Sequence, residues 1–164
     1  MGSQDGPRVW ELVQQWTPSS VYDHENKYQS ELQDYLDEQF NSGLDSMGLG
    51  GNESHAVSTE RGTAYGDVVV NDAVGIELKR NFSNDQKRKL RGQLEDYADN
   101  YQFVIACACG IEDTDGWREV EKKFSRRRGL MDGTEFRFIV KRRDGFGEGG
   151  QNGDDGLLGG GGLF

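Results

Sequence analysis

Asp67, Glu77 and Lys79 are the residues of this 164-residue chain whose types and spacing suit metal-assisted phosphoryl chemistry. In an extended segment Glu77 and Lys79 fall on one face, about 6–7 Å apart along the strand. Val74, Ile76 and Leu78 then line the other face. Asp67 lies across a turn signal, Asn71-Asp72. A three-residue connection would pair Val70 with Val74 and set Asp67 opposite Glu77. A two-residue turn would pair Asp67 with Ile76 and send Glu77 to the opposite face. The apolar pattern favours the first register, because Val68 and Val70 then join Val74, Ile76 and Leu78. Two carboxylates and a main-chain carbonyl, that of Leu78, are hard oxygen donors suited to Mg²⁺ or Mn²⁺. Such an ion polarises a phosphoryl oxygen and lowers the pKa of bound water, and a neighbouring lysine positions or deprotonates that water. An arbitrary D…ExK is more often a solvent-facing hairpin. Here it stands between an amphipathic helix and a basic helix, which favours a site.

Those helices follow from periodicity. Between about 23 and 40, Tyr28, Leu32, Tyr35, Leu36 and Phe40 make one apolar stripe. A second helix spans 84–100, capped by Ser83 or Asn84 and carrying Leu90, Leu94, Tyr97 and Tyr101. Strands are expected at 54–60, 65–70 and 74–80. The continuous apolar run 103–109 reads as a central strand buried on both faces. A helix at 115–128 and a strand at 135–142 follow, and a short helix at 8–16, ended by Thr17-Pro18, precedes them all. Residues 41–53 read as a glycine-rich loop. The fold class is α/β: a layered domain around a mixed sheet. Its expected division is an N-terminal helix and linker (1–22), a domain (23–143) and a tail (144–164) that holds ten of the 24 glycines.

Gly66-Asp67, nine residues, then Glu77-Leu78-Lys79 resembles the signature of the PD-(D/E)XK nuclease superfamily, with glycine where the name has proline. The order helix, three strands, helix, strand is similar to that family's restriction-endonuclease-like core, over roughly residues 23–110. Gln93-Leu-Glu-Asp-Tyr97 resembles the Q-x-x-x-Y motif of RecB-type nucleases. The resemblance implies an Mg²⁺-dependent deoxyribonuclease in which Asp67, Glu77 and the Leu78 carbonyl hold metal, Lys79 serves the water, and Gln93 supports the site. For Tyr97, packing in the core is the preferred reading. The family often adds a glutamate from its first helix. Glu25 and Glu31 compete for that place, and Glu25 is preferred because it extends the apolar stripe. Lys87, Arg88, Lys89 and Arg91 would then meet the DNA backbone, giving affinity without sequence choice. Arg126–Arg128, Arg137 and Lys141–Arg143 offer a far wall or a solvated surface. Recombination, repair, restriction and viral genome processing all fit. A fold that has lost cleavage and only binds nucleic acid is the alternative, and an adaptor that binds none is a third.

Net charge is −10, which taken alone argues against a polyanionic partner. The charge is uneven, however. Residues 79–91 carry +5 and residues 118–143 carry +6, leaving −21 elsewhere. The acidic excess, with Arg over Lys by 12 to 7, resembles salt-adapted, halophile-like composition, in which repulsion is screened within ~3 Å at 1 M salt. No apolar run reaches the ~18 residues of a membrane span, and the amino-terminal residues lack a secretory pattern. Two cysteines give no disulfide framework, and two histidines give no His-rich metal site. Cys107 and Cys109 are expected to be small buried residues of a reduced compartment. His24 is expected at an exposed cap. A cytoplasmic, intracellular protein is the expectation, with homodimerisation open. The apolar end of the tail is a candidate docking peptide, with a passive tail as the default.

Overall fold

The computed structural model describes residues 5–42, 57–59, 67–127 and 133–147. Five strands form one sheet in the order β1-β2-β3-β4-β5: β1 (Val57–Thr59), β2 (Val68–Val70), β3 (Val74–Lys79), β4 (Phe103–Cys109) and β5 (Glu135–Lys141). The first three are antiparallel neighbours, and β3, β4 and β5 run parallel. Two helices, α1 (Asp5–Gln15) and α2 (Glu25–Asp37), precede the sheet. The crossovers from β3 to β4 and from β4 to β5 are α3 (Asn84–Asn100) and α4 (Thr114–Arg127). Parallel neighbours require such crossovers, and helices on both faces explain why every residue of β4 is buried.

The strand alternation sorts side chains into two cores. Val68, Val70, Val74, Ile76 and Leu78 pack with Val9 and Leu12 of α1 and with Tyr28, Leu32 and Leu36 of α2. Val69, Val104 and Ala106 face the other way, onto Leu90, Leu94 and Tyr97 of α3 and Trp117, Val120 and Phe124 of α4. The result is a three-layer α/β/α sandwich, the mixed-sheet class expected from the pattern.

Element bounds agree with the periodicity, but the expected domain division needs correction at both ends. The segment 1–22 was set apart as a helix and linker, yet α1 buries Val9, Leu12 and Val13 in the first core and is integral to the sandwich. At the other end, Asp144–Gly147 belongs to the fold and not to a tail. A 3₁₀ turn at Arg143–Gly145 carries Phe146 into the core, edge-on to Tyr28 at 6.1 Å. The glycine-rich stretch from 148 to 164 and most of the expected 41–53 loop lie outside the described residues.

A buried lysine ties α1 to the last strand. Lys141 Nζ donates to the Gln14 carbonyl at 2.9 Å, one of the acceptors a helix C-terminus leaves open. Burial lowers the lysine pKa, but a cation at this end suits the helix dipole. Lys141→Met is expected to lose about 1 kcal/mol, since it removes a part-buried hydrogen bond to the end of α1. A lowered urea midpoint at unchanged slope would show it. Among the described residues no helix is long and apolar enough to cross a membrane.

Candidate active site

The β2–β3 turn sets the geometry of the site. Asn71 and Asp72 take left-handed φ values of 53° and 54°, and the Ala73 N–H donates to the Val70 carbonyl at 3.0 Å. Asn and Asp tolerate this region best among residues with a Cβ. The turn pairs Val70 with Val74 and Val68 with Ile76, the register of the three-residue connection. Continued one step, it places Asp67 opposite Glu77. Asp67, Glu77 and Lys79 therefore share the α3 face of the sheet, and all three are buried, at 6%, 1% and 2% exposure.

Their contacts form one connected cluster. Lys79 Nζ lies 2.9 Å from Glu77 Oε1. The Tyr97 hydroxyl donates to Glu77 Oε2 in a short hydrogen bond. The same phenol oxygen accepts the Asp67 backbone N–H at 3.2 Å. Asp67 Oδ2 accepts the Leu78 N–H at 2.8 Å. In a strand the N–H and C=O of one residue point to the same lateral side, so the Leu78 carbonyl also faces the Asp67 edge. Gly75 helps to bring α3 this close. A Cβ there would stand 2.5 Å from the Tyr101 ring, and Tyr101 packs edge-on to Tyr97 at 5.8 Å.

The cluster is short of positive charge. Burial, and then the nearby Glu77 carboxylate, push the Asp67 carboxyl up to about 8, and the Leu78 N–H and Lys79 offset this only in part. The Tyr97 phenol is raised well above the tyrosine range, chiefly by burial and then by Glu77 and Asp67. A buried proton donor that stays protonated is suited to holding Glu77 in place. Tyr97, read from the sequence as core packing, is both a core residue and a hydroxyl in the middle of the site. Its i, i+4 spacing from Gln93 was the signal for that second role.

The supporting residues divide. Glu31 is removed from the contest by its partners: Trp16 Nε1 at 3.0 Å, Ser19 Oγ at 2.6 Å and the Tyr22 hydroxyl at 2.7 Å. It anchors the segment between α1 and α2. Glu25 comes to the end of β3, where its Oε2 accepts the Arg80 N–H at 3.1 Å. Its charge adds a last, small upward push on Asp67. Gln93 lies one turn of α3 before Tyr97, and its buried Oε1 has no hydrogen-bond partner among the described residues. His24 stands at the exposed amino-terminal cap of α2, as expected. Cys107 and Cys109 are buried free thiols.

The four cations of the basic helix differ in setting, with Arg88 and Lys89 exposed and Lys87 and Arg91 half-buried. At ~100° per residue, Lys89 and Gln93 lie on one flank of the Leu90–Leu94–Tyr97 stripe, and Lys87 and Arg91 on the other. Lys87 is bound to Glu119 of α4 at 2.7 Å. Its hydrogen bond and charge hold that carboxyl below the usual range, and Arg91 adds to the effect. Both cations thus serve the α3–α4 contact. Arg88 is 79% exposed and stands 4.0 Å from Asp85. The expected far wall is thinned as well. Arg137 pairs with Glu135 at 2.9 Å and lies over the Phe103 ring, while Lys141 is buried against α1. Arg142 reaches Asp144 at 3.4 Å. The side chains of Arg126–Arg128, like Gly66, lie outside the described residues.

Comparison of the chain with protein-family models, with curated proteins and with solved structures finds no match.

Proposed function

We propose that the chain is a metal-dependent nuclease of the PD-(D/E)XK type, hydrolysing DNA phosphodiesters at the Asp67–Glu77–Lys79 cluster. The observation that carries this reading is the convergence itself. Two acids and a lysine, brought together by strand register, are buried on one sheet face with a phenol from α3 on Glu77. Burying a second acid beside a single ammonium is costly, because one negative charge is left uncompensated.

The residues fit a divalent cation. The carboxylates and the Leu78 carbonyl are hard oxygen donors, and a bound cation would offset the burial and the Glu77 charge that raise the Asp67 pKa. Asp67, Glu77 and the Leu78 carbonyl would hold Mg²⁺ or Mn²⁺. Such an ion, when bound, supplies Lewis acidity toward a phosphoryl oxygen and a lowered pKa for water. Lys79 then donates to, or takes a proton from, the attacking water and stabilises charge developing on the phosphoryl oxygens. Tyr97 keeps Glu77 oriented. Gln93, whose Oε1 has no hydrogen-bond partner among the described residues, would accept from the water. Glu25 fixes the end of β3 through the Arg80 N–H.

A second reading, a nucleic-acid-binding or structural protein without cleavage, draws on a specific observation. Both Glu77 oxygens are already bonded, to Lys79 and Tyr97, and Lys79 is almost fully buried. The two readings part in a cleavage assay on plasmid and single-stranded DNA with Mg²⁺, Mn²⁺ or EDTA, from low to molar salt. Cleavage with either ion and none in EDTA is the expected result. DNA binding without cleavage in any condition would leave the nucleic-acid-binding form of the second reading, and absence of both would leave only its structural form.

A further inference from the structure

We infer that the DNA strand is carried across the carboxy-terminal edge of the sheet, with a phosphate held between Arg80 and Arg143, and not along the basic face of α3. The inference rests on the nuclease reading and specifies where that site holds its substrate. Arg80 directly follows Lys79, and its backbone is fixed by Glu25. Arg143 lies across the end of the neighbouring strand: a Cβ added to Gly110 would meet its Nε at 3.4 Å. Strands β3 and β4 are hydrogen-bonded neighbours, so the two strand ends are only about 5 Å apart.

Both arginines line one crevice of about 660 Å³, shared with Asn81, Ser83 and Gln86. Two acids, Glu112 and Asp113, also border it, and Asp113 is already bonded to the Gly116 N–H at 3.0 Å. Neither Arg80 nor Arg143 has an ion pair or side-chain hydrogen bond to a described residue. Both also act on the buried Tyr28 phenol: burial raises its pKa, and Arg143 and Arg80 draw it back. Arg143 further lines an adjoining cavity of about 710 Å³, together with Arg118 and Thr114. Arg80, Arg143 and Arg118 thus line the strand ends beyond Lys79, interspersed with Glu112, Asp113, Glu121 and Asp144. On α3, Lys87 is bound to Glu119, Arg91 is half-buried beside the same carboxylate and Arg88 stands near Asp85, while Lys89 is exposed on the Gln93 flank.

Charge-assisted contacts to phosphate have a measurable salt signature. Each one lost from a duplex complex lowers the slope of log K against log salt by about 0.9 and weakens binding about eightfold at 0.1 M salt. The experiment is a salt titration of labelled duplex DNA against the full chain, with Ca²⁺ in place of Mg²⁺. Variants Arg80→Ala and Arg143→Ala are set beside Arg88→Ala, and thermal melting checks that each is folded. Losses of that size at Arg80 and Arg143, with Arg88→Ala near wild type, are expected. Wild-type binding by Arg143→Ala in a protein that still cleaves DNA would overturn the strand path and leave the nuclease reading intact. A major loss confined to Arg88→Ala would do the same. Failure of the wild-type chain to bind or cleave DNA at all would remove both.

Discussion

Lys79→Met is expected to abolish metal-dependent cleavage and, at the same time, to destabilise the fold strongly. The ammonium is 2% exposed and bound to Glu77 Oε1 at 2.9 Å. Removing it leaves a buried carboxylate with the Tyr97 hydroxyl as its remaining donor. Breaking a buried pair by taking away one partner typically costs ~3–5 kcal/mol. Loss of a positioned acid or base lowers a rate by ~10²–10⁴-fold. The two effects can be separated. In Glu77→Gln/Lys79→Met both charges go together, and the amide can still accept from Tyr97. That double variant should recover most of the lost urea midpoint and remain inactive. A Lys79→Met protein that melts lower but cleaves at the wild-type rate would make the lysine purely structural.

The register was legible because strands alternate with period two and the Asn71-Asp72 turn is a local signal. One choice of turn length put Val68, Val70, Val74, Ile76 and Leu78 on one face, and Asp67 with Glu77 on the other. The wall-to-wall burial of β4 was legible for a similar reason: Phe103 to Cys109 carries no polar residue. The partners of individual charges were not legible. Lys87 looked like a solvent-facing phosphate contact until α4 delivered Glu119 to it, across 32 residues of sequence. Lys141 looked like surface, yet it spans the chain to cap α1. Glu31 shared the stripe margin with other acids, and only the path of residues 16–22 surrounds it with four donor groups. Periodicity reports which face of an element is buried. It does not report which neighbour meets the flank, and a cation's role is decided there. Tyr97 shows the same limit in reverse, since a ring belongs to the core by period while its hydroxyl reaches past the core to Glu77.

Asp67→Asn is expected to stabilise the metal-free protein at neutral pH and to erase its response to Mn²⁺. In the folded chain burial and the Glu77 carboxylate push the Asp67 carboxyl up to about 8, against 3.8 for an ordinary aspartate. Below about pH 4 it is protonated in both states and adds no pH dependence. As pH rises, the unfolded chain gives up the proton while the fold retains it. The folded state then binds more protons, and stability falls by up to ~1.4 kcal/mol per pH unit from this group. The fall ends near pH 8, where the folded carboxyl also ionises. Asparagine cannot ionise and can still accept the Leu78 N–H, so the variant should lack this slope. A bound divalent cation acts in the opposite direction. By favouring the carboxylate it lowers the folded pKa, so Mn²⁺ should raise the melting temperature more at pH 8 than at pH 5, and only when Asp67 is present. The measurement is the difference in melting temperature between wild type and Asp67→Asn across pH 4–9, in EDTA and in Mn²⁺. Subtracting the variant cancels the other titrating groups that the two proteins share. A wild-type protein that gains stability relative to the variant as pH rises in EDTA would show that the cluster already compensates Asp67. The charge deficit that recommends Asp67 and Glu77 as cation ligands would then be absent.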